Sequence, residues 1–431
     1  MNKTTAIVLA AGKGKRMNNS LPKVLQEVCG QPLIYYVLKQ CSKIKSIKQI
    51  IIVVGYKKDL VKNQVKTIVA NQFKNLTDKI QFVPQTKMLG TADAVKSALA
   101  KVKNKEVLVT CGDNPLVRSV TLSKFISYSR KSNLACCVLT SVTDKKNQLG
   151  TIIYDDKDRV QAIKEKISKV DKVKPSNRAE VNSGTYYFLK KELTQNIGKI
   201  KKNKVKKEYF LTDIVKILSK QNKKIKSYLI DDSSEVAGIN NLFELQFAEE
   251  TIRMRILTKL SKKGVIIVSP STTIVQESVN IGKNTTIYPF TFIEKDAIIG
   301  SNCSVGPFIH IRAGSRIKNS VKIGNFLEIN RSYLGKGVTA KHFGYLGDAQ
   351  LSDNVNIGAG TVVANYDGKN KHKTYIKEGS FIGCDTVLVA PVTIGKKAKT
   401  GAGSVVTKNV GKKQTVAGVP ARQLEPRSKN G

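Results

Sequence analysis

The second part of the sequence repeats an aliphatic residue followed by glycine, and this repeat constrains the fold more than any other feature. The copies are Ile281-Gly282, Ile299-Gly300, Val305-Gly306, Ile323-Gly324, Leu334-Gly335, Leu346-Gly347, Ile357-Gly358, Ile382-Gly383 and Ile394-Gly395. Their separations are 18, 6, 18, 11, 12, 11, 25 and 12 residues, each within one residue of a multiple of six. A six-residue period is typical of a parallel β-helix, whose aliphatic residues point inward and whose glycines permit the corners. We therefore predict a β-helix from about residue 265, either catalytic or purely structural.

The chain before residue 228 follows another pattern, in which short apolar runs alternate with amphipathic stretches. We predict strands at residues 6–9, 49–54, 80–83, 106–110 and 135–139, and helices at 33–42 and 91–102. Alternating strands and helices predict a Rossmann-like, mainly parallel sheet that binds ligands at the carboxyl ends of its strands. Apolar spacing over residues 242–262 predicts a long connecting helix or, alternatively, a core helix of the first domain. The predicted boundaries are 1–228, 229–264 with the long helix, and 265–431.

Composition narrows the class of protein. The 74 basic and 32 acidic residues give a formal net charge of +42, but the lysines are spread over both halves and tryptophan is absent. This distribution favours a solvated surface that attracts anionic substrates over a nucleic-acid interface. Seven cysteines without a Cys-x-x-Cys pair favour reduced thiols in a cytoplasmic protein. No apolar run approaches the roughly 20 residues that cross a bilayer, so we expect no membrane span.

A glycine-rich loop directly follows the first predicted strand. It reads Leu9-Ala-Ala-Gly-Lys-Gly-Lys-Arg-Met17, and Leu21-Pro-Lys-Val-Leu25 comes soon after. Small residues let backbone N–H groups approach phosphate oxygens, and Arg16 and Lys23 add positive charge. A short loop of this kind is often only a tight turn, but the longer string resembles the signature of the sugar-nucleotide pyrophosphorylases.

That resemblance implies nucleotidyl transfer onto a sugar phosphate, with charge on the reacting phosphates stabilised by Arg16 and Lys23. It further implies that Asp113 and Asn240 bind Mg²⁺, although a lone Asp at a strand end is more often a turn former. In the branch that makes UDP-N-acetylglucosamine, the positions implied to bind UTP and the sugar are Leu9, Ala10, Ala11, Gly12, Lys23, Gln85, Gly90, Thr91, Gly150, Glu165, Asn182 and Asn240.

The repeat region contains His342, one of only three histidines in the chain. A neutral imidazole there can act as the base toward an amine that attacks a thioester. The surrounding strings Gly324-Asn-Phe-Leu-Glu328, Tyr345-Leu-Gly-Asp348, Asn356-Ile-Gly-Ala-Gly-Thr361 and Asn365-Tyr-Asp-Gly368 resemble the acetyltransferase half of a bacterial bifunctional family. These enzymes have a left-handed β-helix and usually form homotrimers with active sites between subunits. The resemblance implies that acetyl-CoA and glucosamine-1-phosphate contact Arg312, Tyr345, Asn356, Ala359, Asn365, Tyr366, Lys371, Cys384 and Ala402.

The chain departs from the family pattern at several of these places. Lys15 replaces a Thr, Met88 replaces a Gln that helps to bind the nucleotide, and Cys111 replaces a Tyr. Asn330 stands where the acetyltransferase carries a Lys for the sugar phosphate. Arg331 is adjacent, but because side chains alternate between faces along a strand, its direction is left open.

The sequence as a whole predicts a bifunctional enzyme. We expect acetylation of glucosamine-1-phosphate by acetyl-CoA, then Mg²⁺-dependent uridylyl transfer from UTP to N-acetylglucosamine-1-phosphate. One alternative is a uridylyltransferase with a degenerate acetyltransferase domain. A second alternative, of another class, is a noncatalytic scaffold or a nucleic-acid binder that uses the positive charge.

Overall fold

The computed structural model describes residues 2–17, 20–143, 150–164 and 179–424. The chain divides into two compact units, Met1–Thr251 and Ile252–Gly431. The helices described are α1 Leu33–Ser42, α2 Lys58–Gln72, α3 Thr91–Leu99, α4 Ser119–Lys131, α5 Lys190–Asn196, α6 Asp213–Lys220 and α7 Leu242–Ser261. The division falls inside α7, which is the long helix predicted from residues 242–262. Within the described ranges, no helix combines the length and the apolar character that a membrane crossing requires.

The first unit is built on one sheet. Its strands are β1 Thr4–Ala10, β4 Ile47–Val54, β5 Ile80–Pro84, β6 Glu106–Cys111, β7 Cys136–Thr143, β8 Thr151–Tyr154, β9 Val160–Lys164, β10 Ala179–Leu189 and β11 Ile225–Ile230, with a separate pair β2 Glu27–Val28 and β3 Gln31–Pro32. The order along the sheet is β11-β7-β10-β6-β1-β4-β5. Strands β1, β4, β5 and β6 are parallel. Strands β1, β4 and β6 are nearly fully buried, as their apolar runs predict, whereas the edge strand β5 is mostly half-buried.

Strand β10 makes the sheet more mixed than the predicted one, because it runs antiparallel to both β6 and β7. Its pairing with β7 is interrupted between Asn182 and Tyr186, where Gly184 has φ +77°. Such an irregularity re-aims side chains and often lies beside a functional site. The reversed direction brings the first half of β10 to the edge at which the parallel strands end.

The second unit consists of short strands wound in coils. They are β12 Ile266–Ile267, β13 Ile274–Val275, β14 Asn280–Ile281, β15 Thr286–Ile287, β16 Thr291–Ile293, β17 Ile298–Ile299, β18 Ser304–Val305, β19 Ile309–Ile311, β20 Arg316–Ile317, β21 Lys322–Ile323, β22 Leu327–Asn330, β23 Tyr333–Leu334, β24 Thr339–Ala340, β25 Gly344–Gly347, β26 Ala349–Leu351, β27 Asn356–Ile357, β28 Thr361–Ala364, β29 Thr374–Ile376, β30 Phe381–Ile382, β31 Val387–Val389, β32 Val392–Ile394, β33 Lys399–Thr400, β34 Val405–Val406, β35 Thr415–Ala417 and β36 Arg422–Gln423. Every third strand joins the same sheet as far as β34, and β35 and β36 then extend the sheet of β33. This gives three sheets that are parallel apart from the final β35–β36 pair. The predicted β-helix of hexapeptide repeats is confirmed.

The buried core of the β-helix explains the six-residue period. Aliphatic side chains spaced six residues apart point inward at residues 281, 287, 293, 299, 305, 311, 317, 323 and 329, and each is at most 7% exposed. The interval shortens to five residues between Ile329 and Leu334 and again between Leu346 and Leu351, and it lengthens to thirteen between Val363 and Ile376. The long insertion carries three of the polar residues predicted to bind substrate in this unit, which are Asn365, Tyr366 and Lys371.

Adjacent residues of β17 provide a test of this core. Ile299 is 2% exposed, whereas Ile298 is 42% exposed. We predict that Ile299→Ala lowers the free energy of unfolding of the second unit by about 2–5 kcal/mol, because a buried side chain is lost and a cavity remains. Ile298→Ala is the matched control and should change it far less. Guanidinium denaturation, with hydrogen exchange assigned to peptides of residues 252–424, measures both, and equal effects would contradict the assigned core.

Candidate active sites

The glycine-rich loop after β1 is anchored by its backbone to the two neighbouring strands. The amide of Gly112, just past β6, donates a hydrogen bond to the Leu9 carbonyl at 2.9 Å. The amide of Tyr56, just past β4, donates to the Ala11 carbonyl at 3.0 Å. The loop therefore begins at a fixed point on the carboxyl edge of the sheet, where ligands of such sheets bind.

Glycine occupies two positions of this loop for different structural reasons. Gly14 has φ +69°, and a Cβ on it would lie 2.8 Å from the Cβ of Lys23. Glycine is thus needed there for the loop to pack against Lys23. Among the described residues other than its two chain neighbours, no atom lies within 4 Å of the position that a Cβ on Gly12 would occupy. That open space beside exposed backbone is what a phosphate group requires.

The structure brings together the four charged and polar residues predicted at this edge. The Lys23 ammonium contacts the Asp113 carboxylate and donates a hydrogen bond to Asn240 Oδ1 at 2.9 Å. Arg16 Nη2 donates to the same Asn240 oxygen at 3.1 Å. Asp113 follows β6 and Asn240 precedes α7, so residues more than a hundred positions apart form one cluster.

Residues that the sequence did not single out hold the segment of Asn240 in place. The Glu244 carboxylate accepts a hydrogen bond from the backbone amide of Asn240. Five residues earlier, the buried Glu235 carboxylate accepts hydrogen bonds from the Arg118 amide and guanidinium and from the Thr121 hydroxyl. A buried charge needs such partners. The role of Glu235 could not be predicted from the sequence, because Arg118 and Glu235 are distant along the chain.

The oxygen atoms of Asp113 and Asn240 fit a divalent metal of the magnesium type. The single ammonium of Lys23 contacts both oxygen donors, so they converge closely enough for one small cation to bridge them. Mg²⁺ usually takes one or two protein oxygens and completes its shell with water and substrate phosphates. No cluster of three or more His, Cys, Asp or Glu suited to a metal is present in the described residues.

A cavity of about 250 Å³ opens beside this cluster. Predicted site residues among its lining are Leu9, Thr91, Asp113, Gly150, Asn182 and Asn240. Asn182 is fixed by two hydrogen bonds, since its Nδ2 donates to the Tyr186 hydroxyl at 2.7 Å and its Oδ1 accepts from the Gly184 amide at 2.9 Å. The cavity combines apolar walls with a few oriented polar groups, as small-molecule sites do.

The segment predicted to bind the base forms one hydrogen-bonded unit after β5. Gln85 Nε2 donates to the Gly90 carbonyl at 3.1 Å and to Asp93 Oδ2 at 2.8 Å. Gly90 has φ +105°, and a Cβ there would lie 2.5 Å from the Tyr209 carbonyl oxygen. Thr91 Oγ1 accepts the Leu211 amide at 2.9 Å. The backbone near Gly90 is therefore rigid and close to a second chain segment.

The sequence associates three further positions with the first site: Met88, Cys111 and Glu165. Met88 is half exposed. Burial, followed by the charge of Asp113, raises the pKa of the Cys111 thiol to about 12, so it forms a neutral wall of the cavity. Glu165, predicted to hold the sugar, lies outside the described residues.

In the second unit, His342 is exposed in the turn before β25. Tyr345 lies on β25 in register with Glu328 of the preceding coil. Glu328 also forms an ion pair with Arg312, whose Nε lies 2.6 Å from Glu328 Oε1. Asn330 Nδ2 donates to the Tyr345 hydroxyl at 3.3 Å. The predicted Arg312 and Tyr345 thus belong to one outward-facing group, in which Glu328 is the residue that the sequence left without a role.

The long insertion after β28 carries further predicted residues. Asn365 Nδ2 donates to the Asp348 carboxylate at 2.5 Å, and the charge of Lys371 also acts on Asp348. Tyr366 is exposed and its hydroxyl donates to the Gly368 carbonyl at 2.6 Å. Asn356 is half buried on β27, away from the insertion in sequence.

The residues predicted to contact coenzyme A stack on successive coils. The Asp385 amide donates to the Ala359 carbonyl at 2.6 Å, and the Gly403 amide donates to the Cys384 carbonyl at 2.8 Å. Ala402 precedes Gly403, so Ala359, Cys384 and Ala402 mark one corner of three neighbouring coils. A row of small side chains along one corner leaves room for an extended ligand.

Comparison with known proteins finds relatives of both units. The nucleotidyl transferase family model matches residues 5–249, and that for the hexapeptide repeat of succinyl-transferase matches residues 374–408. The bifunctional protein GlmU of Thermosipho melanesiensis is 37% identical over 94% of this chain and 92% of its own length. The proteins of the same name from Geobacillus sp. and Caldicellulosiruptor saccharolyticus are each 36% identical, over 95% of this chain and 94% and 93% of theirs.

The chain belongs to the GlmU family. The identity extends over nearly the whole length, so it includes both the nucleotidyltransferase unit and the hexapeptide unit. The prediction of a bifunctional transferase is confirmed by these GlmU relatives, and nothing in the comparisons favours the uridylyltransferase with a degenerate second domain.

The cysteines of this GlmU family member give a test of the burial around the first site. Cys384 is exposed, whereas burial holds the pKa of Cys41, Cys111 and Cys137 near 12. Only about one in ten thousand of a thiol with that pKa is ionised near pH 8, and the thiolate is the reacting form. We predict that iodoacetamide alkylates Cys384 long before Cys111. Peptide mass spectrometry over time measures this, and equal rates would contradict the environment of Cys111.

Proposed function

We propose that this chain makes UDP-N-acetylglucosamine in two steps, one in each unit. Acetyl-CoA first acetylates glucosamine-1-phosphate, and the product then receives a uridylyl group from UTP with release of pyrophosphate. The observation that carries the proposal is the convergence of Arg16, Lys23, Asp113 and Asn240 beside a sugar-sized cavity, in a chain whose second unit groups Arg312, Tyr345, Asn365 and Lys371.

In uridylyl transfer, a phosphate oxygen of N-acetylglucosamine-1-phosphate attacks the α-phosphorus of UTP. The bond to the β-phosphate breaks, and negative charge increases on the leaving pyrophosphate and the nonbridging oxygens. Arg16, Lys23 and the backbone amides of residues 9–12 stabilise that charge at the carboxyl edge of the sheet. Asp113 and Asn240 would hold Mg²⁺, which would neutralise further phosphate charge.

Different segments of the first unit hold the base and the sugar. The rigid segment from Gln85 to Thr91 contacts the base and ribose. Gly150, Glu165 and Asn182 hold the N-acetylated sugar. The loss of a Gln at Met88 removes one polar contact to the nucleotide, so selectivity for uridine depends on the remaining groups of that segment.

In acetyl transfer, the amino group of glucosamine-1-phosphate attacks the acetyl carbonyl of acetyl-CoA. His342 takes the proton that the amine loses, the carbon–sulfur bond breaks, and coenzyme A leaves as the thiol after protonation. Arg312 and Lys371 hold the sugar phosphate, while Tyr345, Asn356 and Asn365 orient the sugar. Coenzyme A lies along the corner of Ala359, Cys384 and Ala402, and Tyr366 lies beside it.

Two single substitutions separate the steps. We predict that Asp113→Ala lowers the rate of uridylyl transfer by at least about 100-fold and leaves acetyl transfer intact, because charge stabilisation is lost only at the first site. His342→Ala should lower acetyl transfer by about 100- to 10,000-fold and leave uridylyl transfer intact. The assay supplies either all substrates or N-acetylglucosamine-1-phosphate with UTP and Mg²⁺ alone.

Each variant is the control for the other, since loss of both activities in either would indicate misfolding. A wild-type chain that makes UDP-N-acetylglucosamine only when N-acetylglucosamine-1-phosphate is supplied would overturn the acetyl-transfer half and favour the uridylyltransferase alternative. Salt-sensitive RNA binding that excess UTP does not reduce would favour the nucleic-acid alternative.

An exposed aromatic ladder supports the further proposal of a homotrimer. Phe290, Phe308 and Phe326 occupy the same corner on successive coils, with ring centroids 4.8 and 4.9 Å apart, and all three are 42–67% exposed. Each has a positive φ, which turns its ring outward. A contiguous apolar patch of this kind is usually covered by a partner. Another copy of the β-helix has the same coil repeat and can pack along the ladder in register.

Light scattering after gel filtration tests this assembly. The wild-type chain of 47.3 kDa should elute as three copies. We predict that Phe308→Asp shifts the population toward monomer, because a charge replaces the central ring of the patch. Leu60→Asp, at an exposed apolar residue on α2, is the control and should stay trimeric. A monomeric wild type would refute the proposed assembly.

A further inference from the structure

Arg331 occupies an unusual position at the first short corner of the β-helix. It directly follows β22, where the interval between inward residues falls to five, and its φ is +51°. Asp348 follows β25 at the equivalent corner of the next coil and has φ +49°. A residue at such a corner is no longer bound by the alternation of faces along a strand. The left-handed backbone therefore decides where the Arg331 side chain lies.

The Arg331 guanidinium uses three of its N–H groups on two partners. Its Nε and Nη2 donate to the two oxygens of Asp348 at 2.7 and 2.6 Å, a bidentate pair. Its Nη1 donates to Asn330 Oδ1 at 3.0 Å. A bidentate Arg–carboxylate pair fixes geometry more strongly than a single ion pair does.

Each partner of Arg331 leads to a residue of the proposed acetyltransferase site. Asp348 also accepts a hydrogen bond from Asn365 Nδ2. Asn330, whose oxygen faces Arg331, donates through Nδ2 to the Tyr345 hydroxyl at 3.3 Å. One guanidinium thus lies at the centre of a network that ends at Asn365 on one side and at Tyr345 on the other.

The charges of this network also affect Lys371. The Asp348 side chain is only 12% exposed, and the hydrogen bonds from Arg331, opposed by burial, keep its pKa below the ordinary value. The charge of Lys371 acts on the same carboxylate. With Arg331 removed, the carboxylate would lack its bidentate partner and would attract Lys371 toward itself. Arg331 therefore leaves the Lys371 charge available for an anionic ligand.

We propose that Arg331 is a positioning residue for the amino-sugar phosphate in acetyl transfer. It holds Asp348 and Asn330, and through them it orients Asn365 and Tyr345. It also prevents Asp348 from competing with the sugar phosphate for Lys371. This inference rests on the proposed acetyltransferase function and deepens it.

The test compares Arg331→Ala with Arg331→Lys and with the double variant Arg331→Ala/Asp348→Asn. Arg331→Ala should lower kcat/KM for glucosamine-1-phosphate by about 10- to 100-fold, mainly through KM, because misplaced binding groups cost about that much. The KM for acetyl-CoA should change little. Arg331→Lys should restore only part of the loss, since an ammonium cannot make the bidentate pair.

The double variant separates positioning from simple structural damage. Asp348→Asn removes the unpaired charge but keeps an oxygen that can accept from Asn365. We therefore expect it to recover a large part of the activity that Arg331→Ala loses, which a general loss of stability would not allow. Arg316→Ala, at an exposed arginine of β20, controls for the loss of one positive charge. Uridylyl transfer by each variant reports that the chain is folded.

The possible outcomes are distinguishable. Calorimetry with glucosamine-1-phosphate accompanies the kinetics for each protein. A wild type that neither binds nor acetylates this substrate would overturn the proposed function and the inference together. An active wild type with unchanged KM in Arg331→Ala, or a double variant no better than the single one, would overturn the role of Arg331 alone.

Discussion

Parallel strands run in one direction, so their carboxyl ends must meet at one edge of the sheet, and the first candidate site depends on this constraint. Leu9, Gln85 and Asp113 come from three separate parts of the chain, yet each lies at or just past the end of a parallel strand. The antiparallel β10 reaches the same edge with its first half, which contributes Asn182. The packing of apolar strands therefore decides which polar residues can meet.

The strands of the β-helix also pair in parallel, but their sequence pattern repeats every six residues. A fixed interval of six residues places the equivalent positions of successive coils above one another. A row that can bind a ligand therefore forms along a corner without any long-range loop. Interruptions of the period are what break this regularity. The two five-residue corners and the insertion after Val363 are the places where Asn330, Asp348 and Asn365 form hydrogen bonds across coils. The hydrogen-bond network around Asp348 thus lies where the repeat is interrupted, because a strict repeat would present the same small residues at every level.

The sequence was sufficient for features that follow from local periodicity. It predicted α1 with its bounds, and it predicted the β-helix from its aliphatic period. It also predicted five of the nine strands described in the first sheet, within three residues except at the carboxyl end of β7. It was insufficient for contacts between distant segments. The direction of β10 and the pair of Arg118 with Glu235 depend on packing that no local pattern specifies. The direction of Arg331 followed from a positive φ at a shortened corner, which alternation along a strand does not anticipate.

Both candidate sites keep a carboxylate beside a cation, but the cations differ in a way that suits each chemistry. At the first site, Lys23 contacts Asp113 and Asn240 through one compact ammonium on a flexible stem. Such a group can exchange one oxygen for another as phosphates bind, so it can serve as a mobile counter-charge during phosphoryl chemistry. At the second site, the planar guanidinium of Arg331 donates hydrogen bonds to both oxygens of Asp348. In the proposed acetyl transfer that charge takes no part in bond making, and a planar fork suits the role of holding Asn365 in one orientation. The choice between lysine and arginine thus follows from whether the cation must move with the substrate or stay fixed behind it.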